Sequence, residues 1–302
     1  MERVEVKNVC KSYGKFVAVD NVNMSVSDGS IYGLLGPNGA GKSSTMRMIM
    51  NITAPDSGEV FLFGEKFTEK HKKNIGYLPE ERGLYPKMKV VDQLVFLSEL
   101  KGMKKKQAYD NSMMWLEKIG MIEWANKKVN ELSKGMAQKI QFISTINHNP
   151  QLIIMDEPFS GLDPVNSRFF KDIIIDLKKE GKTIILSTHL MENAEKLCDN
   201  ICLINKGKVV LSGNLQKIKE ENSKNSVIVY YSGDNSKVFE LEEVSEIDDS
   251  GNYMEITLKN HVSKTGFLKR LVLTDLEISR YESIETSLND IFIQCVSGKG
   301  EK

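Results

Sequence analysis

Three stretches of the chain differ in how apolar and polar positions alternate. Near the N-terminus, residues 4–9 and 22–26 alternate as antiparallel strands with one solvated face do. Asp28-Gly29 marks a turn. The run Ile31-Tyr32-Gly33-Leu34-Leu35 after it shows no alternation, which is the mark of a strand covered on both faces. Residues 58–64 read as another turn-bounded strand and 75–79 as a short one. From about 85 to 148 the period becomes helical, with apolar repeats at 91–100 and 113–119, so a helical insert is predicted between two sheet-forming parts. Strand patterns resume at 152–155, 183–187 and 201–204, with helical patterns at 167–180 and 191–198 between them. Such alternation predicts a mainly parallel sheet flanked by helices. Past Gly213 the pattern changes again. Residues 219–225 form a polar linker, then strands at 227–231, 253–258 and 276–281 and a helix at 265–273 suggest a small α+β domain. The predicted fold is α/β over residues 1–218, with an antiparallel N-terminal sheet and a helical insert, followed by a small accessory domain over 219–302.

Candidate chemistry enters at the end of the first buried strand. Gly36-Pro37-Asn38-Gly39-Ala40-Gly41-Lys42-Ser43 fits G-x-x-x-x-G-K-[ST], the phosphate-binding P-loop. Its glycines let the backbone curl so that N–H groups point at a phosphate, and a helix starting near Lys42 and running through Ser44 adds its positive end. Lys42 is placed to reach the β- and γ-phosphates and the Ser43 hydroxyl to ligate Mg²⁺. The bland alternative is a chance Gly-rich turn, but strand, loop and helix follow in the required order.

A second constellation follows the strand at 152–155, where Asp156 and Glu157 end an apolar run. Ligands of parallel sheets sit at the carboxyl ends of strands. Asp156 is thus placed to hold Mg²⁺ as the Walker B aspartate does, and Glu157 to polarise an attacking water. Taken alone, the pair could be no more than an acidic turn.

Bulk numbers narrow the class. The 302 residues, 40% hydrophobic and 27% charged, describe a soluble globular protein of one large or two modest domains. No apolar run approaches the roughly 20 residues that span a bilayer, and the N-terminus reads as a strand rather than a leader. A cytoplasmic protein is expected, and transport would need a separate membrane-spanning partner. The four cysteines, Cys10, Cys198, Cys202 and Cys295, are scattered. The last two hundred positions hold one pair at i, i+4, Cys198 and Cys202, read as buried small side chains rather than a metal or redox site. Net charge is zero, yet residues 219–302 carry 10 basic and 16 acidic side chains, which argues against nucleic-acid binding by that domain. Met113-Met114 reads as core packing before docking surface, and Lys104-Lys105-Lys106 as a solvated helix end before a contact with anionic lipid.

Several ordered segments now resemble the ATPase subunit of ATP-binding cassette (ABC) transporters. Leu132-Ser133-Lys134-Gly135-Met136 lies where that family has its LSGGQ signature. Ser160-Gly161-Leu162-Asp163 looks like the D-loop, Ser187-Thr188-His189 like the switch-histidine segment, and Tyr13 lies where an aromatic ring stacks on adenine. The set spans residues 1 to about 215, and the C-terminal extension resembles exporter subunits of the NatA-like sodium and multidrug type. The resemblance implies an ATPase that powers a membrane transporter, with ATP and Mg²⁺ as cofactors and no nucleic acid. It implies a second ATPase subunit, the same or different, in a head-to-tail dimer, and peripheral attachment at the cytoplasmic face of the membrane. The implied roles are Glu157, His189 and Lys42 in catalysis; Tyr13, residues 36–44 with Ser44 included, Ser133, Gly135 and Asp163 in nucleotide binding; and Ser43, Glu80 and Asp156 at the metal. His189 alone would pass for a surface histidine, and Asp163 for a turn carboxylate before Pro164. A nucleic-acid-acting soluble ABC protein and a low-turnover regulatory module are the rival readings. One P-loop and an acidic tail speak against the first, the intact Asp156-Glu157 pair against the second.

Two departures from the family pattern stand out. Lys134 and Met136 replace the usual Gly and Gln of the signature, while Ser133 and Gly135 keep its phosphate-binding groups. Glu80, after residues 75–79, stands where a Gln is usual. It retains an oxygen for Mg²⁺ but adds negative charge that the metal or Arg82 must offset.

Overall fold

The computed structural model describes residues 2–81, 83–222, 225–274, 276–284 and 286–297, so Arg82 lies outside the described residues. The first compact unit, Met1–Leu215, runs β1 (Glu2–Tyr13), β2 (Phe16–Ser27), β3 (Ile31–Leu35), α1 (Lys42–Ile49), β4 (Ser57–Leu62), β5 (Glu65–Lys66), β6 (Ile75–Leu78), α2 (Val90–Leu100), α3 (Lys105–Lys118), α4 (Lys134–Ile146), β7 (Leu152–Met155), α5 (Pro164–Lys179), β8 (Thr183–Thr188), α6 (Met191–Leu197), β9 (Asn200–Asn205) and β10 (Lys208–Asn214). Its central sheet has the order β10-β9-β3-β8-β7-β6. All pairs are parallel except β10–β9. β3 and β7 are buried at every position, which explains why neither shows alternation in the sequence.

The second sheet, β2-β1-β4-β5, is antiparallel. β1 and β2 pair from Glu2↔Ser27 to Tyr13↔Phe16. They are longer than the alternating segments alone suggest, because bulges with left-handed Asn8 and Asn21 carry the ladder past breaks in the alternation. One apolar core joins the two sheets: Val4, Val22 and Val26 meet Leu34, Ile154 and Ile204, with Met46 and Ile49 of α1 between them.

Between β6 and β7 lie α2, α3 and α4. In α3, Ala108, Ser112 and Leu116 face inward. Met114 is exposed, so the methionine pair is only partly core, while Lys104, Lys105 and Lys106 lie exposed at the start of that helix. α4 packs closely on β6: a Cβ on Gly76 would stand 2.3 Å from the Thr145 carbonyl oxygen. α5 starts three residues before its apolar pattern, because Asp163 caps it and Pro164 opens its first turn. Cys198 follows α6 and Cys202 lies in β9; both are buried.

The second unit covers Gln216–Lys302. α7 (Leu215–Glu221) crosses the boundary, and β11 (Ser226–Ser232), α8 (Ser236–Phe239), β12 (Val244–Asp249), β13 (Tyr253–Leu258), α9 (Lys264–Leu271), β14 (Glu277–Ser283) and α10 (Leu288–Ser297) follow. The expected linker at 219–225 therefore begins as helix. Ile218 is buried, and its apolar spacing from Leu215 is too short to stand out in sequence; residues 223 and 224 lie outside the described set. The sheet order is β12-β13-β11-β14, all antiparallel. Val227, Val229, Ile256, Phe267 and Leu271 form its core. Among the described residues no helix is long and apolar enough to cross a membrane.

Candidate functional site

The order β3-β8-β7-β6 determines where the candidate residues meet. Leu35 pairs with Thr188, Leu186 with Met155, and Met155 with Leu78. The segments that leave these four strands emerge side by side: Gly36 to Ser43, then His189, Asp156 with Glu157, and Pro79 with Glu80. This is the carboxyl edge of an open parallel sheet, where ligands of such folds bind.

Two glycines set the shape of the first segment. Gly36 (φ 146°) passes β9 so closely that a Cβ would lie 2.1 Å from the Ile204 oxygen. Gly41 (φ 112°) passes β2, where a Cβ would lie 2.4 Å from the Ala18 oxygen. No L side chain fits either position. Gly41 is also the N-cap of α1 and brings no side-chain acceptor to the helix start, leaving its N–H groups for an anion. Lys42 is 6% exposed. Its Nζ donates to the carbonyls of Gly36 (2.8 Å) and Pro37 (3.1 Å) and stands 3.4 Å from Glu157 Oε1.

Glu157 gathers three elements. Its backbone N–H donates to Ser187 Oγ (2.9 Å), and that hydroxyl donates to Asp156 Oδ1 (2.6 Å). Its Oε2 lies 3.0 Å from His189 Nδ1. Its Oε1 is buried with no hydrogen-bond partner, only the Lys42 charge nearby. The residue adopts φ 47°, a left-handed conformation uncommon for a non-glycine residue. A carboxylate with one free oxygen, flanked by a cation and an imidazole, is equipped to accept a proton from water.

A cleft of about 360 Å³ collects Tyr13, Phe16, Ala18, residues 38–44, Glu80 and Glu157. Tyr13 and Phe16 face each other across the β1–β2 turn and are 46% and 62% exposed. Phe16 was not among the residues expected from sequence; its signal is a second aromatic three positions on, in a hairpin that pairs the two. Asp156, 3% exposed, does not line this cleft. It lines an adjoining one of about 450 Å³, together with Glu80, Glu157, Lys134, Gln138, Gln141, Ser160 and Gly161.

Ser133, Gly135 and Asp163 lie outside both clefts. Ser133 Oγ caps α4 by accepting from the Met136 N–H at 3.3 Å. Asp163 caps α5, accepting from the Asn166 N–H at 2.9 Å; that bond holds its carboxyl below the usual carboxylate range. The two helix starts are neighbours, since a Cβ on Gly135 would lie 3.4 Å from Asn166 Nδ2. A single chain thus keeps Ser133 and Asp163 together but apart from the P-loop.

The oxygen donors present suit a hard divalent cation. Among the described residues no cluster of three or more His, Cys, Asp or Glu could form an all-protein metal cage. Ser43 and Glu80 in the cleft, with Asp156 behind Glu157, fit an ion held by few protein groups and by phosphate and water, as Mg²⁺ commonly is.

Comparison with known proteins places this arrangement. Residues 19–160 match the family model for ABC transporters, and residues 213–296 match the C-terminal domain of DrrA1-3-like ATP-binding proteins. The uncharacterised ABC transporter ATP-binding protein YhaQ of Bacillus subtilis is 42% identical over 291 residues, covering 96% of this chain and 97% of its own. The bacitracin transport ATP-binding protein BcrA of Bacillus licheniformis is 31% identical, covering 98% of this chain and 97% of its own. The solved ATP-binding subunit of an ABC transporter superposes with a TM-score of 0.67 at 28% identity, over 72% of this chain and 92% of that one. A dimeric ATP-binding cassette with ADP and Pi gives 0.65 at 25% identity, over 70% and 98%. The chain belongs to the ABC transporter family as an ATP-binding subunit, and it is an ATPase.

Proposed function

We propose that this chain powers an exporter from the cytoplasmic face of the membrane by closing, head to tail, on a second ATPase subunit. The observation that carries the reading is the cleft that gathers Tyr13, the P-loop, Glu80 and Glu157. In it Tyr13 stacks on adenine, residues 36–44 cradle the phosphates, and Lys42 exchanges its bonds to Gly36 and Pro37 for the β- and γ-phosphates. Ser43, Glu80 and Asp156 hold Mg²⁺, which offsets phosphate charge when bound. Glu157 takes a proton from the attacking water and His189 keeps that carboxylate oriented. Ser133 and Gly135, with Asp163 beside them, belong to the nucleotide of the partner subunit, which accounts for their distance from the P-loop of their own chain. The export direction draws support from the full-length similarity to a bacitracin transport protein and from a 36% identical Nod factor export ATP-binding protein of Mesorhizobium japonicum, which covers 79% of this chain.

The membrane subunit docks on the α2 side of the helical insert. Exposed Tyr85, Phe96 and Leu100 stand there, beside a cavity of about 400 Å³ lined by Ile52, Tyr77, Leu97 and Leu100. Residues 1–218 form the cassette and 219–302 the accessory domain.

The test is steady-state Mg²⁺-dependent ATP turnover of the wild type beside Glu157→Gln, with ATP-dependent dimerisation followed in parallel. Turnover is expected to fall by about 10²–10⁴ in the variant while an ATP-locked dimer accumulates. Equal turnover in the two proteins would remove Glu157 from the proposed role.

A further inference from the structure

One face of α4 carries a polar stripe that no expected site residue uses. Lys134, Gln138, Gln141 and Thr145 recur at i, i+4, i+7 and i+11, so they share a side of the helix. The first three meet backbone segments of the second cleft, and Thr145 meets β6. Gln138 Nε2 donates to the Ser160 carbonyl at 3.0 Å. Gln141 Nε2 donates to the carbonyls of Pro79 (3.3 Å) and Glu81 (3.0 Å). The Thr145 hydroxyl lies 3.4 Å from the Tyr77 oxygen and 3.1 Å from that of Gln141. The Lys134 ammonium rests on Gly161, 3.3 Å from where a Cβ would stand.

Gln141 is the centre of this stripe. It is 6% exposed, and the two carbonyls it holds flank Glu80 on either side. A single amide group whose two hydrogens go to the residues before and after Glu80 fixes the backbone there, while the Glu80 side chain stays exposed toward both clefts. Water cannot readily replace bonds made by a buried amide. A glutamine needed only for its volume would not place both hydrogens on carbonyls that bracket one residue.

We propose that Gln141 is a positioning residue for Glu80, and that Gln138 holds the Ser160-Gly161 backbone to the same helix. The inference rests on the functional reading of Glu80 at the metal. α4 begins at the Ser133 cap, so the loop that carries Glu80, the loop that leads to Asp163 and the signature segment are tied to one rigid rod. A displacement of the signature by a partner subunit then moves Glu80, and the reverse.

Gln141→Met keeps the length of the side chain and removes both donors; Gln141→Leu serves the same readouts should the methionine variant not fold. The carbonyl ¹³C resonances of Pro79 and Glu81, read by NMR on the full chain without nucleotide, are expected to shift upfield as both acceptors lose their donor. The Mg²⁺ concentration for half-maximal ATP turnover is expected to rise roughly tenfold, and to rise no further when Gln141→Met is added to Glu80→Ala. Unchanged carbonyl resonances at Pro79 and Glu81 overturn the clasp. An equal Mg²⁺ shift with and without Glu80 shows that Gln141 does not act through it and overturns the positioning role. Absence of ATP turnover in the wild type at saturating Mg²⁺ strikes the functional reading instead, and the carbonyl resonances still decide the clasp.

Discussion

The two units of this chain bury apolar side chains alike and polar ones very differently. The first packs valines, leucines and isoleucines between two sheets, yet it also buries Lys42, Asp156, Ser187, Gln141, Asn147 and His148. The second packs Val227, Val229, Ile256 and Phe267 under one sheet. Among its described residues Ser226 is the one buried polar side chain, and it meets Thr257 across the strands at 3.0 Å. Burying a polar group costs free energy unless it finds partners. The first unit bears that cost at the carboxyl edge of its sheet, where the P-loop lysine and two carboxylates must be held ready. It bears it again under the insert, where Asn147 Nδ2 donates to Ser98 and Ser112 at 2.7 and 2.9 Å. Buried polarity marks the part of the molecule that does chemistry, and its scarcity marks the part whose cohesion is nearly all apolar.

The contrast breaks most visibly if the second unit turns out to matter for nucleotide. Phe267 is fully buried, and Phe267→Ala should cost about 3–5 kcal/mol. Thermal unfolding should show that loss while the Kd for ATP stays at the wild-type value; a parallel loss of affinity would join the two regions energetically. A second prediction sharpens the contrast within the first unit. Burial pushes the His148 imidazole down to about 4, with the Lys101 charge adding to the effect. Its Nε2 lies 3.2 Å from the Ile75 oxygen, and its Nδ1 is buried without a partner. The folded state refuses a proton that the unfolded chain accepts, so stability is full above about pH 6.5 and is lost as pH falls toward 4, by up to about 3 kcal/mol. His148→Gln should flatten that acid slope in denaturant titrations at pH 7, 5.5 and 4; an unchanged slope would remove His148 as its cause. The smallest effect concerns the cleft. Phe16→Ala should weaken ATP binding by about 1 kcal/mol, readable by calorimetry, and the same change at Val17, which is absent from the cleft lining, should do nothing.

How far the sequence could be read follows from where its information lies. The P-loop and the Asp156-Glu157 pair are contiguous, and each sits directly after a strand that is apolar throughout, so fold and chemistry reinforce one another in a few positions. The parallel sheet, the antiparallel N-terminal pair and the helical insert were legible because their periods differ. α7, β10 and β12 were missed because they are short or carry too weak an apolar pattern, whereas α10 was missed although Leu288, Ile291, Phe292 and Cys295 recur at helical spacing. Phe16 needed the register of a hairpin, which alternation alone does not give. Gln138 and Gln141 drew no expectation, because a polar side chain on a helix has no local signal for what it meets; the packing of α4 against β6 turns them toward two loops. The positions of Asp156 in the adjoining cleft and of Lys42 on its own loop are tertiary facts with no local signal.

Glu157 carries one further consequence. Its backbone is left-handed at φ 47°, a conformation that costs a non-glycine residue on the order of 1–3 kcal/mol, and its Oε1 is buried without a hydrogen bond, 3.4 Å from the Lys42 ammonium. A glycine there would relieve the backbone, but it would leave the buried Lys42 ammonium without its counter-ion and remove the carboxylate that the proposed reaction needs. Heat tolerance at position 157 is therefore set by two opposing terms, the left-handed backbone and the Lys42 charge that the carboxylate balances.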